Sequence, residues 1–157
     1  MSSIQAINAV RDSLRTNLTD PRATAGDTHS RTFVYTDTPD AGTKYPRVQI
    51  TKVDNPTQVL TIGYNYAERE RLFLNIWFYT KRDFKLVIGG VTYNNEQLVE
   101  YYLGLIKTTL KAQASTLHTA GAIGYKHLNT TNWEYDPDTQ LYYAAVTIGV
   151  EFYTSCT

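Results

Sequence analysis

The hydrophobic pattern is most regular in the last third of the chain. From Leu141 to Tyr153, Tyr142, Ala144, Val146, Ile148, Val150 and Phe152 fall on one side, and Tyr143, Ala145, Thr147, Gly149, Glu151 and Tyr153 on the other. Period-two alternation over this length predicts a strand with one face on a core. Asn132-Trp-Glu-Tyr precedes it, joined through Asp136-Pro-Asp-Thr. Pro137 pre-sets the backbone for a turn, and the two aspartates can accept from nearby backbone N–H groups. The stretch from Tyr125 to Thr154 therefore predicts a long C-terminal β-hairpin.

Leu72-Phe-Leu-Asn-Ile-Trp-Phe-Tyr79 is apolar on both faces. Leu72, Leu74, Ile76 and Phe78 share one, and Phe73, Trp77 and Tyr79 share the other. Such a strand is expected to be central and covered twice. Helices supply one cover, and another subunit is a candidate for the second. Shorter strands are expected at Phe33–Tyr35, at Tyr45–Val53, where Pro46 is tolerated at the start, and at Gln58–Tyr64. Residues 84–93 read as a small hairpin, because Gly89-Gly90 suits a tight primed turn.

Two segments carry helical spacing instead. Ile4, Ile7, Val10, Leu14 and Leu18 line one side of an amphipathic helix, started by a Ser2/Gln5 capping box and ended before Asp20-Pro21. Asn94 and Gln97 form a similar start for a longer helix bearing Leu98, Tyr102, Leu105, Thr109 and Ala112, with Val99, Ile106 and Leu110 alongside. Thr116–Gly124 reads as a connecting loop. Residues 20–44 are dominated by turn chemistry, and a loop this long is usually functional or disordered. It is expected to become ordered only against a neighbouring molecule. No internal repeat or linker interrupts the chain, so residues 1–157 are expected to form a single domain. The fold class that results is α+β: a mixed, mainly antiparallel sheet, two main amphipathic helices packed on it, and the C-terminal hairpin.

Composition narrows the function classes. Fifteen basic and fifteen acidic residues balance, which gives no bias toward nucleic acid or an anionic membrane. No apolar run approaches the ~20 residues of a membrane span, and the first residues lack the pattern of a signal peptide. Cys156 is the single cysteine, so no intramolecular disulfide can form. Thirteen tyrosines suit either a strand-rich fold or an interface, since tyrosine joins a large contact area to a polar tip.

Candidate chemistry is sparse. His29, His118 and His127 have no Cys or acidic partner at metal-ligand spacing. The Asp136 turn lacks the glycine and terminal glutamate of a calcium loop. Gly89-Gly90 lacks the lysine and following helix of a phosphate loop. Cys156 has no nearby histidine, and no serine sits in a nucleophile elbow. Glu68 and Glu70 alternate with Arg69 and Arg71, which favours a solvated or intersubunit charge ladder over acid–base work. The expectation is a protein that is not an enzyme and uses no cofactor or metal.

The order of elements does resemble a family. A leading helix, an extended loop, a strand Tyr-Pro-Arg-Val-Gln-Ile, the strand Leu72–Tyr79, a helix, and the final Tyr-Asp-Pro-Asp-Thr-Gln-Leu-Tyr-Tyr-Ala-Ala-Val-Thr-Ile-Gly-Val-Glu-Phe-Tyr resemble the tail terminator or tail completion proteins of tailed viruses, of the minor tail protein U type. The Phe84–Tyr93 hairpin departs from that pattern. The resemblance implies a homo-hexameric ring in the tail and neck region of a virion, assembled in the host cytoplasm. Such a ring caps the tail tube, ends its polymerisation and forms the joint to the head–neck complex. Its implied partners are its own copies, the tail tube protein, a neck or connector protein and a sheath or other tail protein. DNA would pass through it without sequence-specific binding. Candidates for the subunit contact are Glu68, Arg69, Glu70, Arg71, Phe73, Trp77 and Tyr79, with ordinary core as the alternative for Trp77. Candidates for contact with a neighbouring ring are Arg22, His29, Arg31, Asp40 and Lys44. Another neck ring, such as a head–tail adaptor or head-closure protein, and a small ligand- or peptide-binding module using the 20–44 loop, are the alternatives.

Overall fold

A computed structural model describes residues 1–24, 26, 33–36, 44–54, 57–59 and 66–156. Helix α1 (Ser3–Asn17) starts as its sequence dictates. The Ser2 hydroxyl accepts from the Gln5 amide at 3.2 Å, and Gln5 Oε1 accepts from the Ser2 amide at 2.7 Å. These two bonds satisfy N–H groups that a helix start otherwise leaves open. Its inward face is Ala6, Val10, Ser13 and Leu14. Ile4 departs from the expected stripe and is 71% exposed. Six residues at 3.6 per turn carry it roughly 120° away from Val10. Helix α2 (Pro21–Thr24) is a single turn with proline at its first position, where the missing N–H costs nothing.

The main sheet runs β1 (Val34–Tyr35), β2 (Arg47–Asp54), β4 (Tyr66–Lys81), β9 (Leu141–Cys156) and β7 (Ala122–Thr130). Strand β3 (Thr57–Val59) pairs with β4, and β8 (Glu134–Asp136) with β9. Only β1–β2 is parallel among the described pairs. The expected Gln58–Tyr64 strand is thus seen as β3, and residues 60–65 lie outside the described ones. Strands β4 and β9 are the centre, paired without interruption from Tyr66↔Cys156 to Lys81↔Leu141. The C-terminal hairpin is present, but its first arm is split. Three residues of β8 lead to the turn, and the longer β7 pairs with β9 through two register shifts.

One face of this sheet holds the core. Leu72, Leu74, Ile76 and Phe78 stand beside Ala144, Val146, Ile148, Val150 and Phe152, all buried. Helix α3 (Asn95–Ala112) packs across them with Leu98, Val99, Tyr102, Leu103, Ile106 and Leu110. Each such side chain contributes about 1.5–3 kcal/mol relative to exposure. Ala112, expected on this stripe, is exposed at the helix end. Tyr102 stacks on Phe78 at 4.5 Å and 2°, and its hydroxyl donates to the Thr19 carbonyl at 2.8 Å. Arg15 reaches from α1 to the Val34 carbonyl with Nε at 3.1 Å and Nη2 at 2.7 Å, fixing β1 against the helix.

Two local expectations are corrected. The Asn94/Gln97 capping box does not form. Asn94 is the last residue of β6 (Val91–Asn94), paired with Lys85 of β5 (Lys85–Ile88). Asn95 then turns the chain at φ 48°, and its side chain accepts from the Asp83 amide instead. Residues 116–124 are not a loop. Helix α4 (Ala114–Thr119) occupies the first four of them, with Leu117 in a buried site, and β7 begins at Ala122 and takes the last three. The β5–β6 hairpin itself turns on Gly89 and Gly90 at φ 56° and 79°, the sign a primed turn demands. No helix among the described residues is long and apolar enough to cross a membrane.

Candidate assembly surface

The opposite face of the sheet is built by the other half of the same alternation. Strand β4 presents Arg69, Arg71, Phe73, Asn75, Trp77 and Tyr79, and register sets them opposite Tyr153, Glu151, Gly149, Thr147, Ala145 and Tyr143 of β9. Strand β2 adds Arg47, Gln49 and Thr51 beside Tyr79, Trp77 and Asn75. The helices α1, α3 and α4 engage the core face instead. Trp77 and Tyr79 are therefore half-buried, shielded mainly by their own neighbours.

Those neighbours make an ordered platform. The rings of Trp77 and Tyr79 stack at 6.2 Å, and Tyr143 lies 6.2 Å from Trp77 and 5.8 Å from Tyr79. The Trp77 indole donates to Thr51 Oγ1 at 3.1 Å, so its polar edge is satisfied within the chain. Thr147 donates to Asn75 Oδ1 at 2.7 Å, and Tyr143 to Glu134 at 2.9 Å. The Arg47 guanidinium sits 4.3 Å over the Tyr45 ring. Burial pushes the Tyr79 phenol up, and the hydrogen bond to Glu134 does the same for Tyr143.

The other end of this face is charged. Glu151 accepts from Arg71 Nε at 2.7 Å and from Arg69 through both Nε and Nη2. The Arg69 hydrogen bond holds its carboxyl below the ordinary range, with Arg71 adding to the effect. Glu68 and Glu70 fall on the helix side, where Glu70 accepts from Thr154 at 2.7 Å and Ser3 at 3.5 Å near the α1 N-terminus. The alternating charges thus separate by face: the arginines pair with Glu151 inside the chain, and the glutamates lie behind the sheet. Beyond them a cleft of about 390 Å³ opens between Phe73, Gly149, Leu128 and the rim residues Arg71 and Lys126.

No family profile matches the sequence, and no curated protein does. Among solved structures, the chain is similar to one described as the virion of native gene transfer agent (GTA) particle. The two share 12% identity over 94% of this chain and 94% of that one, with a TM-score of 0.46. An overlap of that quality leaves function to be read from the residues.

Two members of the second candidate set, Arg22 and Lys44, fall among the described residues. His29, Arg31 and Asp40 lie outside the described residues. Arg22 works within the fold: Nη1 donates to the Tyr45 carbonyl at 2.8 Å and the guanidinium lies 5.8 Å from the Phe84 ring centre. Lys44 is exposed. Of the histidines, His118 Nδ1 bonds the Ala122 carbonyl and His127 Nε2 bonds Thr130, each at 2.9 Å. No cluster of three His, Cys, Asp or Glu suited to a metal occurs among the described residues. Sequence reasoning missed Tyr143, Glu151, Thr51, Leu128 and Lys126 as members of the surface. Alternation put Tyr143 and Glu151 on one face, but only strand register shows which side chains of β4 they meet.

Proposed function

We propose that this chain is a structural subunit of a tailed-virus particle, acting as a tail terminator. In this reading it forms a homo-hexameric ring on the last ring of the tail tube, stops tube growth and presents its other side to the neck or connector. The observation that carries the proposal is the half-buried Trp77–Tyr79–Tyr143 platform on the sheet face away from the helices. Tryptophan and tyrosine are enriched among the residues that anchor protein interfaces. The order of elements noted in the sequence supports the choice of terminator. Balanced charge suits a ring through which DNA passes without sequence-specific binding. The proposal includes no catalysis and no cofactor. It places the protein in the virion, at the tail and neck.

Virion assembly with this gene disrupted is the test. The terminator reading expects filled heads beside headless tails of variable length. Normal virions, or a block in capsid formation, would overturn it.

A further inference from the structure

We infer that the cleft beside Arg71 and Lys126 receives the acidic hairpin turn of a second copy of this chain, with Trp133 as the apolar anchor. The inference rests on the ring reading and names the contact that would build the ring. The cleft has an apolar floor and a basic rim. Gly149 leaves the floor bare: a Cβ there would lie 3.5 Å from Phe73 Cε1 and 3.6 Å from Leu128 Cδ1. Leu128 is 41% exposed. The cleft's charged lining is Arg71, Lys126 and Glu151, and Glu151 is itself paired with Arg71 and with Arg69 just beyond the cleft. Tyr125 lines the same cleft, and its buried Oη has no hydrogen-bond partner among the described residues.

The turn has the complementary character. Trp133 is 42% exposed although its ring lies 5.9 Å from that of Tyr142, tilted by 48°. It is followed by Glu134, Asp136 and Asp138 with no intervening base, on the outer edge of the sheet. Lys81 pairs with Leu141 and the Arg82 amide donates to the Gln140 carbonyl at 2.9 Å, so the bases near the turn enter from the β4 side. The hydrogen bonds from Thr139 and Asp138 hold Asp136 ionised, below its ordinary pKa.

Cleft and turn cannot meet within one molecule. The cleft floor is at Gly149 and the anchor Trp133 lies beside Tyr142, seven residues away along β9, a separation of roughly 23 Å in a strand. Turn and cleft of separate copies can meet, and the contact is head-to-tail. Such contacts close into a ring when the rotation permits.

The test is complementation by charge swap in the full chain, read as mass against concentration by light scattering. Lys126→Glu and Asp138→Lys are each expected to weaken self-association at least about tenfold, by setting like charges together. An equimolar mixture of the two variants is expected to restore it, since the altered cleft of one fits the altered turn of the other. Trp133→Ala is expected to weaken association while the thermal midpoint holds. If the wild type associates and these variants associate equally well, the contact is wrong and the ring reading stands. If the wild type stays monomeric at every concentration, alone and on purified tail tubes, the contact and the ring fall together.

Discussion

Ile76→Ala tests the core on which the assembly surface rests. Ile76 has no solvent exposure and lies between Ile50 on β2 and Val146 on β9. Both flanking strands are held by ladder hydrogen bonds, so they cannot close over the space left by the removed atoms. The expected cost is therefore about 2–5 kcal/mol, the transfer term plus an unrelaxed cavity. For a chain of this size each kcal/mol moves the thermal midpoint by about 2–4 °C, so the shift should be roughly 4–20 °C. Urea unfolding should show a lower midpoint with an unchanged slope. Val53→Ala, at a position 56% exposed near the end of β2, is the control and should stay within about 0.5 kcal/mol. An Ile76→Ala midpoint indistinguishable from the control's would mean β4 is not the centre of the core.

Trp77→Ala should lower stability less than Ile76→Ala, because Trp77 is half-exposed, yet impair ring formation by ~2 kcal/mol or more; equal losses in folding and assembly would make Trp77 ordinary core. Tyr102→Phe removes the bond to the Thr19 carbonyl and should cost about 0.5–1.5 kcal/mol by urea titration. Burial raises the Tyr102 phenol above its ordinary 10.0, so its contribution is present below that pH and is lost as pH rises through the folded value; Tyr102→Phe should lack this alkaline limb. Glu151 has the opposite sign. Its carboxyl is held below the ordinary 4.5, so its contribution is present above that pH and is lost as pH falls through the folded value. Glu151→Gln should flatten this acid limb of the unfolding midpoint, and an unchanged limb would show that Arg69 and Arg71 contribute nothing through it.

What the chain decides locally was legible before any coordinates. Side-chain alternation is a property of a single strand, so the two faces of Leu72–Tyr79 and Leu141–Tyr153 could be listed correctly without knowing their neighbours. The Ser2/Gln5 cap is equally local, with donors and acceptors three residues apart. The same logic failed at Asn94 and Gln97, where β5–β6 pairing and the turn at Asn95 claimed the backbone that a cap would need. It failed again at Leu117, whose burial depends on strands and helices distant in sequence. The face of β4 expected to meet the helices, with Leu74, Ile76 and Phe78, is the one they cover, and that cover comes from the packing of α1 and α3 against β4 and β9. The assembly surface depends on the same long-range step: Arg69 meets Glu151 across 82 residues, and Trp77 meets Thr51 across 26. Hydrophobic period determines what a strand can show to each side, and only register and layer packing determine what stands opposite it.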